Sequence, residues 1–204
     1  MADETSFPTL PTGQLPSGVV TFIFTDIVSS TAMKGKMPGE TSGERDDAFH
    51  HQVKEPHEKI IKERLAVRGG KIVEGTGDGY FIAFDDPEQA VLAAVEIQER
   101  LTAAAIATPL GPLQVRVGVH SGRAKPRASS YTSSAADKAA RVQSKVDGGL
   151  VYISKESYGL VDEKITSRCK PASVICLSSL QLHPFGVRRS EGERSDPSAA
   201  EPQR

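Results

Sequence analysis

The chain has 204 residues, enough for one domain with a sizeable core and short for two. Lys and Arg total 25 against 26 Asp and Glu, so the overall charge does not predict a nucleic acid or a membrane surface as partner. The two cysteines, Cys169 and Cys176, are too few for a disulfide framework or a zinc-ligand set, which favours a reducing compartment. No signal peptide or membrane-spanning stretch is evident, and the sequence therefore predicts a cytoplasmic protein.

The two ends of the chain differ in composition from its middle. Residues 1–17 and 186–204 are rich in Pro, Ser, Gly and charged residues, and they have too little apolar content to offset the entropy of ordering. We predict disordered tails on both sides of a single domain over residues 18–185.

In the first half of this domain a strand pattern is followed by a helix pattern and then by two further strand patterns. Residues 19–24 (VVTFIF) form a continuous β-branched and aromatic run, which indicates a buried strand. Residues 46–68 favour a helix that Pro56 should kink or divide. The runs GGKIV and YFIAF, on either side of GTGDGY, then indicate a β-hairpin.

The second half continues the alternation. A helix should begin with Asp86 as N-cap and Pro87 in its first turn. Its predicted buried face consists of Ala90, Ala94, Ile97 and Leu101. A half-buried strand over 113–119, a helix over 135–146 and a strand over 150–154 follow. The order predicts an α+β fold with a ferredoxin-like βαββαβ core, extra strands and helices, and helices packed on one face of a single sheet.

The turn GTGDGY carries a single carboxylate, Asp78. It matches neither a dinucleotide-binding fingerprint nor a P-loop, because an apolar strand follows at once. Gly75, Gly77 and Gly79 permit positive φ or a close approach of another group. Asp78 is therefore either a solvated turn residue or a ligand placed at a hairpin tip.

A second carboxylate, Asp26, follows the first strand. If that strand pairs with the hairpin, Asp26 and Asp78 lie side by side at one end of the sheet, and two hard carboxylates suit Mg²⁺. The hydroxyl residues Ser29, Ser30 and Thr31 either cap a helix or bind phosphate there.

The stretch YTSSAADKAARVQS places Asp137 and Arg141 four residues apart on one helix face. They form either a surface ion pair or a guanidinium fork available to phosphate. The histidines have simpler interpretations. We predict solvated helix residues, without the spacing of metal ligands, at His50, His51 and His57. For His120 we predict a packed, hydrogen-bonded residue.

Four stretches together resemble the class III adenylyl/guanylyl cyclase catalytic domain, and they cover about residues 18–155. In chain order they are TFIFTDIVSST, GGKIVEGTGDGYFIAF, VRVGVHSG and YTSSAADKAARVQS. The resemblance implies that Asp26, Asp78 and the main-chain carbonyl of Ile27 hold two Mg²⁺ or Mn²⁺ ions beneath ATP or GTP. The 3′-hydroxyl then attacks the α-phosphorus, giving a cyclic 3′,5′-nucleotide and pyrophosphate.

The resemblance also implies a homodimer with sites at its interface, where Arg141 of one chain stabilises the phosphoryl group over the metals of the other. Asp137 stands where the family has a ribose-orienting Asn, and it is the second catalytic candidate. The family's phosphate-binding Lys after residue 160 is missing. Either difference would lower activity, so a weak or inactive dimerisation or nucleotide-binding module is the alternative.

The base-selecting positions correspond to Glu74 and Ser130. Glu can accept hydrogen bonds from guanine, whereas adenylyl cyclases usually have Lys there, and ATP is the commoner bacterial substrate. ATP and GTP both remain open. A palm-type nucleotidyl transferase or diguanylate cyclase fits less well, because GTGDGY lacks the adjacent acidic residues of a G-G-[DE]-E-F turn.

Overall fold

The computed structural model describes residues 14–168 and 174–177. The predicted C-terminal tail, most of the predicted N-terminal tail and Cys169 lie outside these described residues. The strands are β1 (Gly18–Ile27), β2 (Lys71–Gly75), β3 (Tyr80–Phe84), β4 (Ala107–Thr108), β5 (Gly111–Pro112), β6 (Val115–Ala124), β7 (Pro126–Arg127), β8 (Ser130–Tyr131), β9 (Val151–Ser154) and β10 (Val174–Leu177). The helices are α1 (Ser30–Lys34), α2 (Ser42–Phe49), α3 (Glu55–Arg68), α4 (Pro87–Ala104), α5 (Ser134–Gln143), α6 (Lys155–Tyr158) and α7 (Glu163–Arg168).

One mixed sheet organises the chain, with strand order β10-β9-β6-β1-β3-β2. The central strand β1 is antiparallel to both β3 and β6, and β9 runs parallel to β6. The four strands β6-β1-β3-β2, with α3 and α4 as connections, have the ferredoxin-like arrangement. The predicted α+β fold class is confirmed.

Helices cover both faces of this sheet, whereas the sequence predicted helices on one face. Side chains alternate along β1, so Ile23 and Ile27 pack in the core cluster that includes residues of α3 and α4. Val20 and Phe22 point to the opposite face and pack against α5. The small residues of α5, Ala135, Ala136 and Ala139, let it lie close to that second face.

The predicted helix over 46–68 begins earlier, at Ser42, after a capping box between Thr41 and Glu44. A π-helical segment, His50–Lys54, joins α2 to α3 immediately before Pro56. Proline has no N–H to donate to the preceding turn, and a wider turn accommodates that missing hydrogen bond. The predicted division of the helix near Pro56 is confirmed.

The other predicted elements shift by a few residues. The Asp86 side chain accepts from the N–H groups of Glu88 and Gln89, as expected of an N-cap. The four residues predicted on the inner face of α4 are all buried. The strand predicted over 113–119 runs from Val115 to Ala124, and α5 ends at Gln143.

Candidate active site at one end of the sheet

The hairpin between β2 and β3 packs against the end of β1. A Cβ atom added at Gly79 would lie 1.9 Å from the carbonyl oxygen of Thr25 and 3.1 Å from the Cα of Asp26. The Tyr80 N–H donates to Thr25 Oγ1 at 3.0 Å, which fixes this contact. Gly79 and Thr25 are therefore in backbone contact, and Asp78 and Asp26 are their respective neighbours in the chain.

The three hairpin glycines have different structural roles. Gly77 adopts a left-handed φ of +78°, and Gly79 permits the approach to Thr25. Gly75 has no positive φ, and no atom of the described residues lies within 4 Å of a Cβ added there. The tight turn thus needs glycine at two of the three positions.

Asp26 forms an ion pair with Arg116 of β6. Arg116 Nη2 donates to Asp26 Oδ2 at 2.6 Å, and the two residues are direct partners in the register of β1 and β6. Both side chains are about one-third exposed. The guanidinium Nε is buried and lacks a hydrogen-bond partner among the described residues, so Arg116 has donor capacity left over.

Asp78 has its own cationic partner, Lys34, the last residue of α1. Lys34 Nζ lies 2.9 Å from Asp78 Oδ1, and the Asp78 side chain is only 18% exposed. Burial raises the pKa of Asp78, but the hydrogen bonds of Ser30 and Lys34 and the charges of Lys34 and Lys54 outweigh burial and lower that pKa overall. Asp78 is therefore an ionised carboxylate at neutral pH.

The segment after Asp26 turns directly into α1. Ile27 is buried in the core, so only its main chain is available at the site. Ser29 adopts a left-handed φ of 57° and precedes the short helix that begins at Ser30. Thr31 is exposed.

Asp137 and Arg141 lie on the exposed side of α5, facing away from the sheet. The sheet-facing residues of this helix include Ala139 and Val142, which are buried. Within residues 14–168, Arg141 forms no ion pair with Asp137, Asp26 or Asp78. The structure therefore places Asp26 and Asp78 on neighbouring backbone segments, and within the described residues Arg141 forms no ion pair with either of them.

The two base-selecting candidates flank one aromatic pair. Glu74 is exposed on β2 and is the register partner of Phe81, next to a bulge. Ser130 is half-buried on β8 and precedes Tyr131. The rings of Tyr131 and Phe81 are 6.1 Å apart.

The prediction that His57 is solvated is wrong, whereas His50 and His51 are exposed as predicted. His57 is fully buried, both its ring nitrogens lack hydrogen-bond partners in the described residues, and burial lowers its pKa to about 4. His57 lies on the buried side of α3, just after the π-helical segment. From the sequence, the many charged residues of this helix predict an exposed position. His120 is buried, and its Nδ1 lies 2.8 Å from Ser154 Oγ, as predicted.

Sequence reasoning missed Lys34 and Arg116. Lys34 follows Ser30 by one helical turn, a spacing that places both side chains toward the same neighbour. Arg116 reaches Asp26 only because β6 pairs with β1 in this register. Four-residue spacing could have suggested Lys34, but nothing local indicates the partner of Arg116.

Among the described residues, no group of three or more His, Cys, Asp or Glu side chains could hold a metal ion. A divalent cation here would bind Asp26 and Asp78 and complete its shell with main-chain, water or substrate oxygens, as Mg²⁺ commonly does. In the same part of the chain, no helix is both long and apolar enough to cross a membrane.

Comparison with known proteins identifies the family. Residues 14–175 match the family described as adenylate and guanylate cyclase catalytic domain. An adenylate cyclase of Lachancea kluyveri is 28% identical over 165 residues, which are 69% of this chain and 8% of that protein. An uncharacterized protein of Mycobacterium tuberculosis is 26% identical over 179 residues, 86% of this chain and 55% of the relative. The chain thus spans at most about half the length of these two curated relatives.

A solved structure agrees with this match. A Trypanosoma brucei adenylate cyclase in its monomeric state aligns with a TM-score of 0.59 and 26% identity over 81% of this chain and 84% of that chain. The family match covers most of the chain and includes β1, the hairpin and α5, where the candidate residues lie. The chain belongs to the adenylate and guanylate cyclase catalytic domain family.

Proposed function

We propose that this chain is a class III nucleotidyl cyclase that converts ATP or GTP into a cyclic 3′,5′-nucleotide and pyrophosphate as a homodimer. The observation that carries the proposal is the contact between the hairpin and β1, which sets Asp26 and Asp78 on neighbouring segments. Family membership supports the proposed class of reaction, and this contact supports the proposed position of the site.

The residues present fit a divalent cation. Asp26 and Asp78 are hard oxygen donors, and each already has a cationic group as partner, Arg116 and Lys34 respectively. We propose them, with the main-chain carbonyl of Ile27, as the metal ligands. Bound Mg²⁺ or Mn²⁺ would lower the pKa of the ribose 3′-hydroxyl and offset the charge of the triphosphate.

The protein groups around the carboxylates bind and orient the nucleotide. Arg116 has a planar fork suited to phosphate, and its Nη2 lies next to Asp26. Ser29, Ser30 and Thr31 follow Asp26 and offer hydroxyl and main-chain donors to phosphate oxygens. The 3′-hydroxyl loses its proton to solvent, its oxygen attacks the α-phosphorus in line, the bond from the α-phosphorus to the bridging oxygen of the β-phosphate breaks, and pyrophosphate leaves.

A second copy of the chain would complete the site. Arg141 lies on the exposed side of α5, away from its own sheet, which favours its contact with a triphosphate bound by a second chain. In an isologous dimer each Arg141 would face the carboxylates of the other chain, with Asp137 near the ribose, and two equivalent sites would form. Glu74 and Ser130 would contact the base, with ATP and GTP both open. The cytoplasmic location stays a prediction.

A mixing experiment tests this function. The wild-type chain should form cyclic nucleotide from ATP or GTP with Mg²⁺ or Mn²⁺. Asp78→Ala and Arg141→Ala should each be inactive alone. Their equimolar mixture should regain about one quarter of wild-type activity, because half the dimers would contain one intact site of two.

The matched control mixes Asp78→Ala with Asp26→Ala. Both changes affect the carboxylates of one chain, so no intact site can form and this mixture should stay inactive. Absence of product from the wild type with either base and either metal would refute the proposed activity. An inactive Asp78→Ala and Arg141→Ala mixture beside an active wild type would refute the shared site.

The second candidate is a weak or inactive nucleotide-binding or dimerisation module. It is favoured by Asp137, an exposed carboxylate one turn before Arg141 on the same helix. A carboxylate there repels a triphosphate. Asp137→Asn should raise turnover if this candidate is right, and unchanged, robust turnover would count against it.

A further inference from the structure

The Asp78 carboxylate forms an ion pair with Lys34, a side chain to which neither the sequence motifs nor the family match assigns a role. Lys34 contacts Asp78 Oδ1 at 2.9 Å, and Ser30 donates a hydrogen bond to the same carboxylate. The charge of Lys54, at the end of the π-helical segment, also acts on Asp78. Asp78 is thus paired directly with Lys34, while the Ser30 hydroxyl and the charge of Lys54 also favour its ionised form.

The position of Lys34 is built into the fold. It is the last residue of α1, and the N–H of Gly35 closes that helix on the carbonyl of Thr31. Its Nζ lies 4.9 Å from the ring centroid of Phe49, a buried residue of α2, which adds a cation–π contact. The side chain of Lys34 is about one-third exposed, so it has room to move toward solvent.

A divalent cation on Asp78 would be disfavoured by Lys34 in this position. Two cations within about 4 Å of one another repel by several kcal/mol at the effective dielectric of a protein surface. The ammonium must leave the carboxylate, and its flexible four-carbon stem lets it do so while α1 stays in place. The displaced ammonium would then lie beside the metal, where a nucleotide carries its phosphates.

We propose that Lys34 is an exchangeable cation of the site: it neutralises Asp78 in the metal-free chain and binds the triphosphate of the nucleotide once a divalent cation takes the carboxylate. This inference rests on the proposed cyclase function. It assigns to α1 a phosphate-binding lysine that the sequence lacks at the family's usual position after residue 160.

The first test measures Mn²⁺ binding without nucleotide, by electron paramagnetic resonance of the free ion. Lys34→Gln removes the competing cation, so Mn²⁺ should bind about tenfold more tightly than to the wild type, a change of about 1.4 kcal/mol. Lys36→Gln is the matched control, because Lys36 is exposed two residues away, and its loss should leave Mn²⁺ affinity unchanged. A damaged fold would weaken binding and cannot mimic this gain.

The second test measures binding of α,β-methylene ATP and α,β-methylene GTP at saturating Mg²⁺. Lys34→Gln should bind the preferred analogue at least tenfold more weakly than the wild type, and Lys34→Arg should retain most of the affinity because it keeps the charge. Lys36→Gln should again match the wild type. Opposite changes in metal and nucleotide affinity from one substitution are the signature of an exchangeable cation.

These results separate the inference from the proposed function. If the wild type cyclises nucleotide but Lys34→Gln matches Lys36→Gln in either assay, the role of Lys34 is refuted and the cyclase function stands. If Lys34→Gln shows both opposite changes while the wild type forms no cyclic product, the role of Lys34 in cation exchange stands and turnover is refuted. If neither the wild type nor Lys34→Gln binds Mn²⁺ without nucleotide, the role of Lys34 in cation exchange is refuted, and the product assay alone decides the cyclase function.

Discussion

Replacing Gly79 by alanine tests the backbone contact on which the site depends. The added Cβ would lie 1.9 Å from Thr25 O and 2.7 Å from Thr25 C, whereas real Cβ atoms essentially never come within 3.0 Å of such neighbours. Both neighbouring atoms belong to the backbone of the central strand, so no side chain can rotate to make room. The hairpin must move away from β1 by roughly 1 Å, the shortfall between these distances.

The displacement should lower both stability and activity. Overpacking of this kind costs about 1–3 kcal/mol. For a domain of this size that lowers the melting temperature by about 2–12 °C. Moving Asp78 by roughly 1 Å relative to Asp26 should lower kcat by about 100-fold, because in-line attack tolerates little misplacement.

Thermal unfolding followed by circular dichroism and a cyclic-nucleotide assay measure the two effects. Gly75→Ala is the matched control, since it adds the same methyl group to the same hairpin where no atom lies within 4 Å and φ is not positive. It should be neutral or stabilise by up to about 1 kcal/mol. If Gly79→Ala melts and turns over like Gly75→Ala, the proposed close contact does not exist in solution.

Three further predictions concern the core, helix α5 and the base. Burial lowers the pKa of His57 from 6.5 to about 4, so between these pH values the unfolded chain binds a proton that the folded chain does not. The free energy of unfolding should therefore fall by up to about 3 kcal/mol as the pH decreases through this window. Urea unfolding should show that this acid dependence is much smaller in His57→Leu. Gly118→Ala places a Cβ 2.4 Å from Gln143 N, so it should lift α5 and cost about 1–3 kcal/mol in the same assay. Glu74 is exposed on β2, so Glu74→Lys should leave the melting temperature unchanged. The new lysine should shift the product toward cyclic AMP. An unaltered ratio of cyclic AMP to cyclic GMP would show that Glu74 does not contact the base.

Several features of the fold were predictable because their causes are local. Asp86 and Pro87 specify a helix start through the geometry of one turn, and the spacing of the small and apolar residues of α4 specifies its buried face. The glycines around Asp78 specify a tight hairpin. Each of these signals lies within a few residues of the structure it determines, and they sufficed for the fold class.

The covering of the second sheet face was not predictable in the same way. Helix α5 and strand β1 are more than a hundred residues apart, and the contact between them depends on Gly118 and Gly122 leaving room for α5. His57 shows the same limit, because its helix is charged on average and only the packing of α3 against the sheet decides which position is buried.

The sequence alone predicted Asp26 and Asp78 as metal ligands and Arg141 as a phosphate-binding residue, since carboxylates and arginine in recognisable motifs have that chemistry. Only the tertiary structure decided which cations accompany the carboxylates: Arg116 on Asp26 and Lys34 on Asp78. It also left Arg141 exposed on α5, without an ion pair to either carboxylate in the described part of the chain. The physical reason is that ion pairs form between groups that strand register and helix packing bring together, and neither is encoded in the neighbours of a residue along the chain.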